Sequence, residues 1–375
     1  MEKIPLCVPY LDKRELEAVK KALSSHWLTH GPKNKEFEEM FAKYIGTKYA
    51  VSLNSCTSAL HLALEALNIK GEVILPSFTF VASANAIVKA GATPVFVDID
   101  YKTCNIDPDK IEEKITKKTR AIMPVHFGGQ SCVMDRIMKI AKKHNLKIIE
   151  DSAETIGGTF KNKMTGSFGN VGCFSFFPTK NITTGEGGMI TTDDESLAQK
   201  IRTLSGHGVA KTTAQRTKQQ QSWYRAATMA GYNFRMSNIL ATIGVEQMKK
   251  LDKMNNLRRR NATYLNKHLQ NIKNIEIPFE AKNCKHVYQM YTIKVKDIDR
   301  DDLVLKLKES GIEASVHFDP PVHLQPFYKK YYKTSNLPIT EKVAKSIITL
   351  PMFPQLTKKE LDYIIKIIKK TYGNI

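Results

Sequence analysis

"CFSFFPTKNITTGEGGMITT", residues 173–192, contains one lysine, Lys180, the only charged residue between Lys163 and Glu186. A strand-like apolar run precedes it and a glycine cluster follows. Elsewhere the chain is crowded with lysine: 57 Lys and Arg stand against 37 Asp and Glu, a net charge of +20. The run "CFSFF" (173–177) belongs to a series. "VIL" (73–75), "PVFVDI" (94–99), "AIMPV" (121–125), "KIIED" (147–151) and "MITT" (189–192) recur, with helical or loop segments between the earlier ones, such as "CVMDRIMKIAKKH" (132–144). The alternation predicts an α/β domain with a mostly parallel sheet, which binds ligands at the carboxyl ends of its strands.

The rest of the chain supplies helices and a second unit. "KEFEEMFAKY" (35–44) spaces Phe37, Met40, Phe41 and Tyr44 along one helix face, with Gly46 as a stop. "SALHLALEAL" (58–67) reads as another helix, and Asn238 to about Asn271 as one long helix with Gly244 its only breaker. Beyond it "YTIKV" (291–295) and "EASVHF" (313–318) read as strands. "TKKELDYIIKIIKK" (357–370) opens with a capping box of Thr357 and Glu360. A chain of 375 residues is expected to form two domains. We place a large ligand-binding domain at 1–250 and a smaller C-terminal α+β domain at 251–375. The polar stretch "TTAQRTKQQQS" (212–222) is expected to be a mobile surface loop.

Composition narrows the partners. Hydrophobic residues make up 42% and charged residues 25%, as in a soluble globular protein. The longest apolar-looking run, "VILPSFTFVASANAIV" (73–88), is too short and too polar to span a membrane, and "MEKIPLCVPY" lacks a signal-peptide core. A cytoplasmic location without membrane contact is expected. Six cysteines stand singly and ten histidines form no ligand set, so no metal is expected. The positive charge fits nucleic acid, an anionic surface or anionic substrates. Its spread over the chain, with "RRR" (258–260) the only tight arginine cluster, argues for a generally lysine-rich composition and against nucleic acid.

Three segments carry chemistry. "EDSAE" (150–154) ends a strand with carboxylates. "SLNSCTSAL" (52–60) is rich in hydroxyls and leads into a helix start, where free backbone N–H groups bind anions. A lysine in poorly charged surroundings gives up its proton more readily, and a neutral amine attacks a carbonyl to form a Schiff base. Lysine, strand-end aspartate and phosphate cup together describe pyridoxal 5'-phosphate. Each has a plainer reading alone: a solvated lysine, a capping aspartate, an ordinary helix start, a tight turn at "GEGG" (185–188). Eight of the 20 glycines fall between Gly157 and Gly188, so backbone closely approaches something there.

These stretches resemble, in order, the sugar-nucleotide aminotransferases of the DegT/StrS group. So do "HWLTHGP" (26–32), "PSFTFVASANAI" (76–87), "GATPVFVDID" (91–100), "PVHFGGQ" (124–130), "GYNFRMSN" (231–238) and "PPVHLQPFY" (320–328), and the resemblance covers nearly the whole chain. It implies the aspartate-aminotransferase-like fold, fold type I among pyridoxal-phosphate enzymes. It implies Lys180 as the Schiff-base lysine, Asp151 beside the pyridine nitrogen and Phe80 stacked on the ring. Thr57, Ser58 and Ser175 would hold the phosphate, and Asn233 would reach it from the partner subunit of a homodimer with shared active sites. Glu154 stands where much of the family has glutamine beside the cofactor's phenolic oxygen, and a carboxylate there requires a shared proton. Trp27, Thr29, His126, Arg235 and His323 fall in segments that line the sugar-nucleotide site, and for each a packing or surface role competes.

The reaction implied is transfer of an amino group from an amino acid, L-glutamate, to a nucleotide-linked keto-6-deoxy sugar. "WLTxGP" resembles the carbon-4 enzymes, although His30 replaces their usual threonine. The rivals are a carbon-3 or keto-cyclitol aminotransferase, a dehydratase, which would carry histidine in place of Lys180, and a pyridoxal-phosphate-binding regulatory protein without turnover.

Overall fold

In the computed structural model, which describes residues 3–210, 223, 225–332 and 336–372, the alternation resolves into nine strands before residue 200. They are β1 (Tyr49–Leu53), β2 (Glu72–Pro76), β3 (Thr93–Val97), β4 (Thr119–Ile122), β5 (Lys147–Asp151), the two-residue β6 (Thr159–Phe160) and β7 (Lys163–Met164), β8 (Val171–Ser175) and β9 (Gly188–Thr192). Seven of them form the main sheet in the order β1-β9-β8-β5-β4-β2-β3. From β8 through β3 every neighbouring pair is parallel, and β9 alone runs against its neighbours β8 and β1. The sheet is therefore mostly parallel, as expected. Strand β1 was not read from the sequence. The stretch 212–222 lies outside the described residues.

The two-residue period of a strand sorts side chains between two cores. Val73, Leu75, Ala121, Met123 and Ile149 face helices Cys56–Ala66, Val81–Lys89 and Glu195–Ser205. Their neighbours Ile74, Ile122 and Ile148 face helix Met134–Lys143. A third core covers β8 and β9 with helices Pro32–Ile45 and Asn238–Met248. There Phe174 and Phe176 meet Phe41 and Phe37 at ring separations of 4.9 and 5.0 Å. Each such pair adds about 0.5–1.5 kcal/mol beyond simple burial. Alternation then leaves Ser175, between the two rings, on the opposite face.

The long helix is broken. Asn238–Met248 and Leu251–Leu269 meet at Lys249 and Lys250. Lys250 is buried because its ammonium turns back to Glu15 at 2.5 Å and Asp12 at 3.1 Å. Gly244 does not break it; a Cβ there would lie 2.6 Å from the ring of Phe37, so glycine allows the two helices to approach.

Beyond residue 270 come β10 (Ile275–Glu276), β11 (Cys284–Lys285), β12 (Tyr291–Val295) and β13 (Ile347–Leu350). Strands β10, β12 and β13 form a second sheet, packed by helices Leu251–Leu269, Arg300–Glu309 and Lys358–Tyr372 over a core that also takes in Ile4. The final helix keeps its capping box: the Thr357 N–H donates to Glu360 at 2.7 Å, and the Glu360 N–H donates back to Thr357 Oγ1 at 3.2 Å. "EASVHF" is not a strand. Its ladder is one bridge, Ser315 with Thr349, and Pro320 and Pro321 beyond it have no N–H to extend pairing. In "RRR", Arg258 is buried and donates to the Met352 carbonyl at 2.7 Å, and Arg259 pairs with Glu280 at 2.8 Å. Both arginines serve the fold.

Candidate active site

The carboxyl ends of β5 and β8, the amino end of helix Cys56–Ala66 and the 316–320 segment enclose a cavity of about 570 Å³. Asp151 is the last residue of β5 and lies on its wall. Its neighbour Glu150 points to the other face. Glu150 accepts the N–H groups of Gly166, Phe168 and Gly169, each at 2.7 Å, and anchors the turn before β8. Asp151 accepts from Ser83 Oγ at 2.7 Å and from the Ala153 N–H at 3.2 Å. Burial pushes its carboxyl above the ordinary carboxylate range, against the effect of those two donors. Among the described residues no cation is hydrogen-bonded to it.

Lys180 follows β8, with its N–H donated to the Phe177 carbonyl at 2.9 Å. Alone in the sequence, it has a partner in space. Its Nζ lies 3.3 Å from Glu154 Oε1, while Glu154 Oε2 accepts the Gly128 N–H at 2.9 Å. The loop is held from behind: Gln289 donates to the Thr179 carbonyl at 2.9 Å, and Asn181 to Asn255 at 2.7 Å. Phe80 caps helix Val81–Lys89, is 62% exposed and lies on the cavity wall.

The anion end is built around Ser55, the helix cap. Ser55 Oγ takes the Ser58 N–H at 3.1 Å and lies 2.9 Å from Ser58 Oγ, so Ser58 is engaged inside the first turn and is not on the wall. Ser55, Cys56, Thr57 and Ser175 are on it. The first-turn N–H groups of Cys56 and Thr57 are left over by the helix itself. Gly188 brings this turn onto β9, since a Cβ there would stand 2.3 Å from Ser55 backbone. Ser55 was missed, although serine before a helical run is a strong cap signal.

Phosphorylated pyridine chemistry fits this donor set. A buried carboxylate lacking a cation suits a protonated ring nitrogen. Unused helix N–H groups with two hydroxyls suit a phosphate, and an amine and an open aromatic face share the same space.

Of the residues expected to meet a sugar nucleotide, none lines this cavity. His126 is fully buried; the Cys132 N–H donates to its Nδ1 at 3.0 Å, so its Nε2 carries the proton and donates to Glu150 at 3.0 Å. Both ring nitrogens are used within the chain. His323 is likewise engaged, with Ser77 at 2.6 Å and Glu341 at 3.3 Å, and burial lowers its pKa. Trp27 borders a different hollow, where its Nε1 donates to the His30 carbonyl at 3.3 Å. Thr29 and Asn233 are exposed, and Arg235 reaches His207 at 3.4 Å. The histidine on the wall is His317, which sequence reading passed over for His323. Its Nδ1 meets Thr349 Oγ1 at 2.8 Å, and burial lowers its pKa.

Known proteins resemble this chain along nearly its whole length. The model of the DegT/DnrJ/EryC1/StrS aminotransferase family matches residues 9–369. The spore coat polysaccharide biosynthesis protein SpsC of Bacillus subtilis is 42% identical over 98% of this chain and 96% of its own. A GDP-perosamine synthase of Caulobacter vibrioides is 40% identical over 97% of both chains. The structure of Helicobacter pylori PseC, an aminotransferase involved in pseudoaminic acid biosynthesis, superposes over all of both chains with a TM-score of 0.93 at 29% identity.

Proposed function

The chain belongs to the DegT/DnrJ/EryC1/StrS aminotransferase family, and on that premise we propose that it moves the amino group of L-glutamate to carbon 4 of a nucleotide-linked 4-keto-6-deoxyhexose. It is a pyridoxal-phosphate-dependent sugar aminotransferase. The observation that carries the reading is the meeting of Lys180, Asp151 and the helix start at Ser55–Thr57 in one cavity. When bound, pyridoxal phosphate supplies a carbon that takes up and gives back the amino group, and a ring that stores the electron pair.

The residues of the chain do the rest. Asp151 would hold a proton on the ring nitrogen. Thr57, Ser175 and the first-turn N–H groups would hold the phosphate, and Phe80 would cover the ring. Lys180 Nζ would take the proton from the amino-acid α-carbon as that C–H bond breaks and later give it back, acting as base and then as acid. The keto sugar is aminated by the reverse sequence. Residues 1–250 form the cofactor-binding domain in this reading and 251–375 the smaller one.

We further infer a homodimer with shared sites. Asn233, Trp27, Thr29 and Arg235 stand outside the cavity of their own chain, and Leu11, Leu16, Leu23 and Leu28 are exposed along the segment preceding Thr29. A partner's cavity gives those residues a sugar nucleotide to meet. "HWLTHGP" supports carbon 4, by the likeness stated above. The test is the pair of half-reactions. L-Glutamate alone should bleach the cofactor's absorbance and release one 2-oxoglutarate per site, and a 4-keto sugar nucleotide should restore it. A spectrum indifferent to glutamate and to every other amino acid would contradict transamination.

A further inference from the structure

In "TFVASANAI" (79–87) the reaction uses Phe80 and leaves two hydroxyl residues, Thr79 and Ser83, without a part. Phe80 is the cap of helix Val81–Lys89, and the Ser83 N–H closes the first turn on the Phe80 carbonyl at 3.2 Å. The turn that sets the ring therefore sets Ser83 as well. Thr79 and Ser83 are each 1% exposed, and both border the cavity beside Asp151. Alanine stands around Ser83, at 82, 84 and 86, and alanine is the better helix former. A hydroxyl buried here costs free energy unless it is bonded. It is bonded twice: Ser83 Oγ donates to Asp151 Oδ2 at 2.7 Å and lies 2.9 Å from Thr79 Oγ1. Among the described residues Ser83 is the one side chain hydrogen-bonded to Asp151, whose other oxygen takes the Ala153 N–H at 3.2 Å. An ionised carboxylate only accepts, so Ser83 gives its single proton to that bond and the Thr79 hydroxyl donates to Ser83. The hydrogen bonds run one way, from Thr79 through Ser83 to Asp151.

We propose that Ser83, backed by Thr79, is a positioning residue that fixes the Asp151 carboxylate in the orientation that meets the pyridine nitrogen of the cofactor. The proposal rests on the reading of Asp151 as the partner of that nitrogen. A carboxylate turns about its Cβ–Cγ bond unless its oxygens are pinned, and here each oxygen has one donor. The Ser83 bond is the shorter of the two, and it comes from the helix that carries Phe80. One rigid turn thus holds both the residue that covers the ring and the donor that aims its charged partner. Burial raises the Asp151 carboxyl and the Ser83 bond opposes that rise, so the same contact favours the ionised form that a ring N–H needs. Without Ser83 the carboxylate keeps only the longer bond from Ala153.

The experiment uses the full chain stripped of cofactor and two ligands, pyridoxamine 5'-phosphate and its 1-deaza analogue, in which C–H replaces the ring nitrogen. Neither forms a Schiff base with Lys180, so calorimetric titration reads the non-covalent contacts alone. A hydrogen bond to a charged group, present for one ligand and absent for the other, should give the wild type a preference of about tenfold or more for the nitrogen-bearing ligand. Asp151→Asn should abolish the preference. Ser83→Ala should cut it by about threefold or more, by weakening pyridoxamine phosphate alone. Thr79→Val, which leaves Ser83 its proton, should fall between Ser83→Ala and the wild type. A packing defect would weaken both ligands alike. Equal weakening of both in Ser83→Ala overturns the proposal, and so does a wild-type preference in that variant. A wild type without preference, or an Asp151→Asn variant that retains it, takes down the reading of Asp151 and this inference with it.

Discussion

Replacing Asp151 by asparagine separates two effects of one carboxylate. Without cofactor, Asp151 accepts from Ser83 Oγ and from the Ala153 N–H. Asparagine keeps both contacts. Its Oδ1 accepts from Ala153, its Nδ2 donates to Ser83 Oγ, and the Ser83 hydroxyl turns its proton to Thr79 Oγ1, 2.9 Å away. Only the charge is lost. Burial holds the Asp151 carboxyl above its ordinary range, so the folded chain binds this proton more tightly than the unfolded one. The resulting advantage is complete below the unfolded-state value and is lost as pH rises through the folded-state value. At neutral pH the cofactor-free Asn variant should therefore unfold at or above the wild-type temperature. With cofactor the sign reverses. A hydrogen bond to a charged group contributes about 1.5–3 kcal/mol against about 0.5–1.5 for a neutral one, and a neutral amide cannot hold the ring nitrogen protonated. A loss of about 1.5 kcal/mol in the chemical step is roughly tenfold in rate, and loss of the electron sink adds to it. The assay is the single-turnover bleaching of the cofactor by L-glutamate, corrected for cofactor content, with calorimetry on the cofactor-free chain. A fully loaded variant that turns over at the wild-type rate refutes the role of Asp151. A cofactor-free variant that melts several degrees lower refutes the account of its burial.

Lys180→Ala should bind pyridoxal phosphate and lose turnover, measured as product per cofactor over hours; continued cycling would mean that another base is at work. Mixing inactive Lys180→Ala with an inactive Asn233 variant should restore part of the activity in exchanged dimers, and a fully active monomer in sedimentation would exclude the shared site. His126→Ala should lower the melting temperature, since it strips the buried Glu150 of a donor at a cost of about 1–3 kcal/mol, and should leave KM for the sugar nucleotide unchanged. Burial pushes the His286 imidazole down to about 3 from its ordinary 6.5. Its contribution to stability is therefore complete above pH 6.5 and is lost as pH falls toward 3, by about 1.4 kcal/mol per pH unit. His286→Asn, which keeps an acceptor for the Tyr288 N–H, should flatten denaturant midpoints measured between about pH 6 and about pH 4.

The residues that both the sequence and the cavity bring together are local ones. A polar residue that closes an apolar strand of a parallel sheet faces the ligand side, which placed Asp151, Ser175 and the Lys180 loop. What escaped depended on residues far along the chain. Lys180 is isolated in sequence, yet its carboxylate partner lies 26 residues away. Lys250 breaks a helix because its acidic partners, Asp12 and Glu15, come from the far end of the chain. His126 and His323 sit in apolar strings that suggest a site, but only tertiary structure shows Glu150, Cys132, Ser77 and Glu341 consuming their nitrogens. In "HFDPPVH" two histidines compete, and which one faces the cavity follows from how the chain leaves Thr349. Strand β1 was missed because five residues between two helices carry no alternation of their own. It is recruited by β9, whose side chains are buried.

The most direct measurement offers the purified enzyme ¹⁵N-labelled L-glutamate together with 3-keto- and 4-keto-6-deoxyhexoses linked to the same nucleotide, and locates the label by NMR. The account predicts ¹⁵N bonded to carbon 4, with product formed from the 4-keto sugar alone. Label at carbon 3, or in neither sugar, would contradict it.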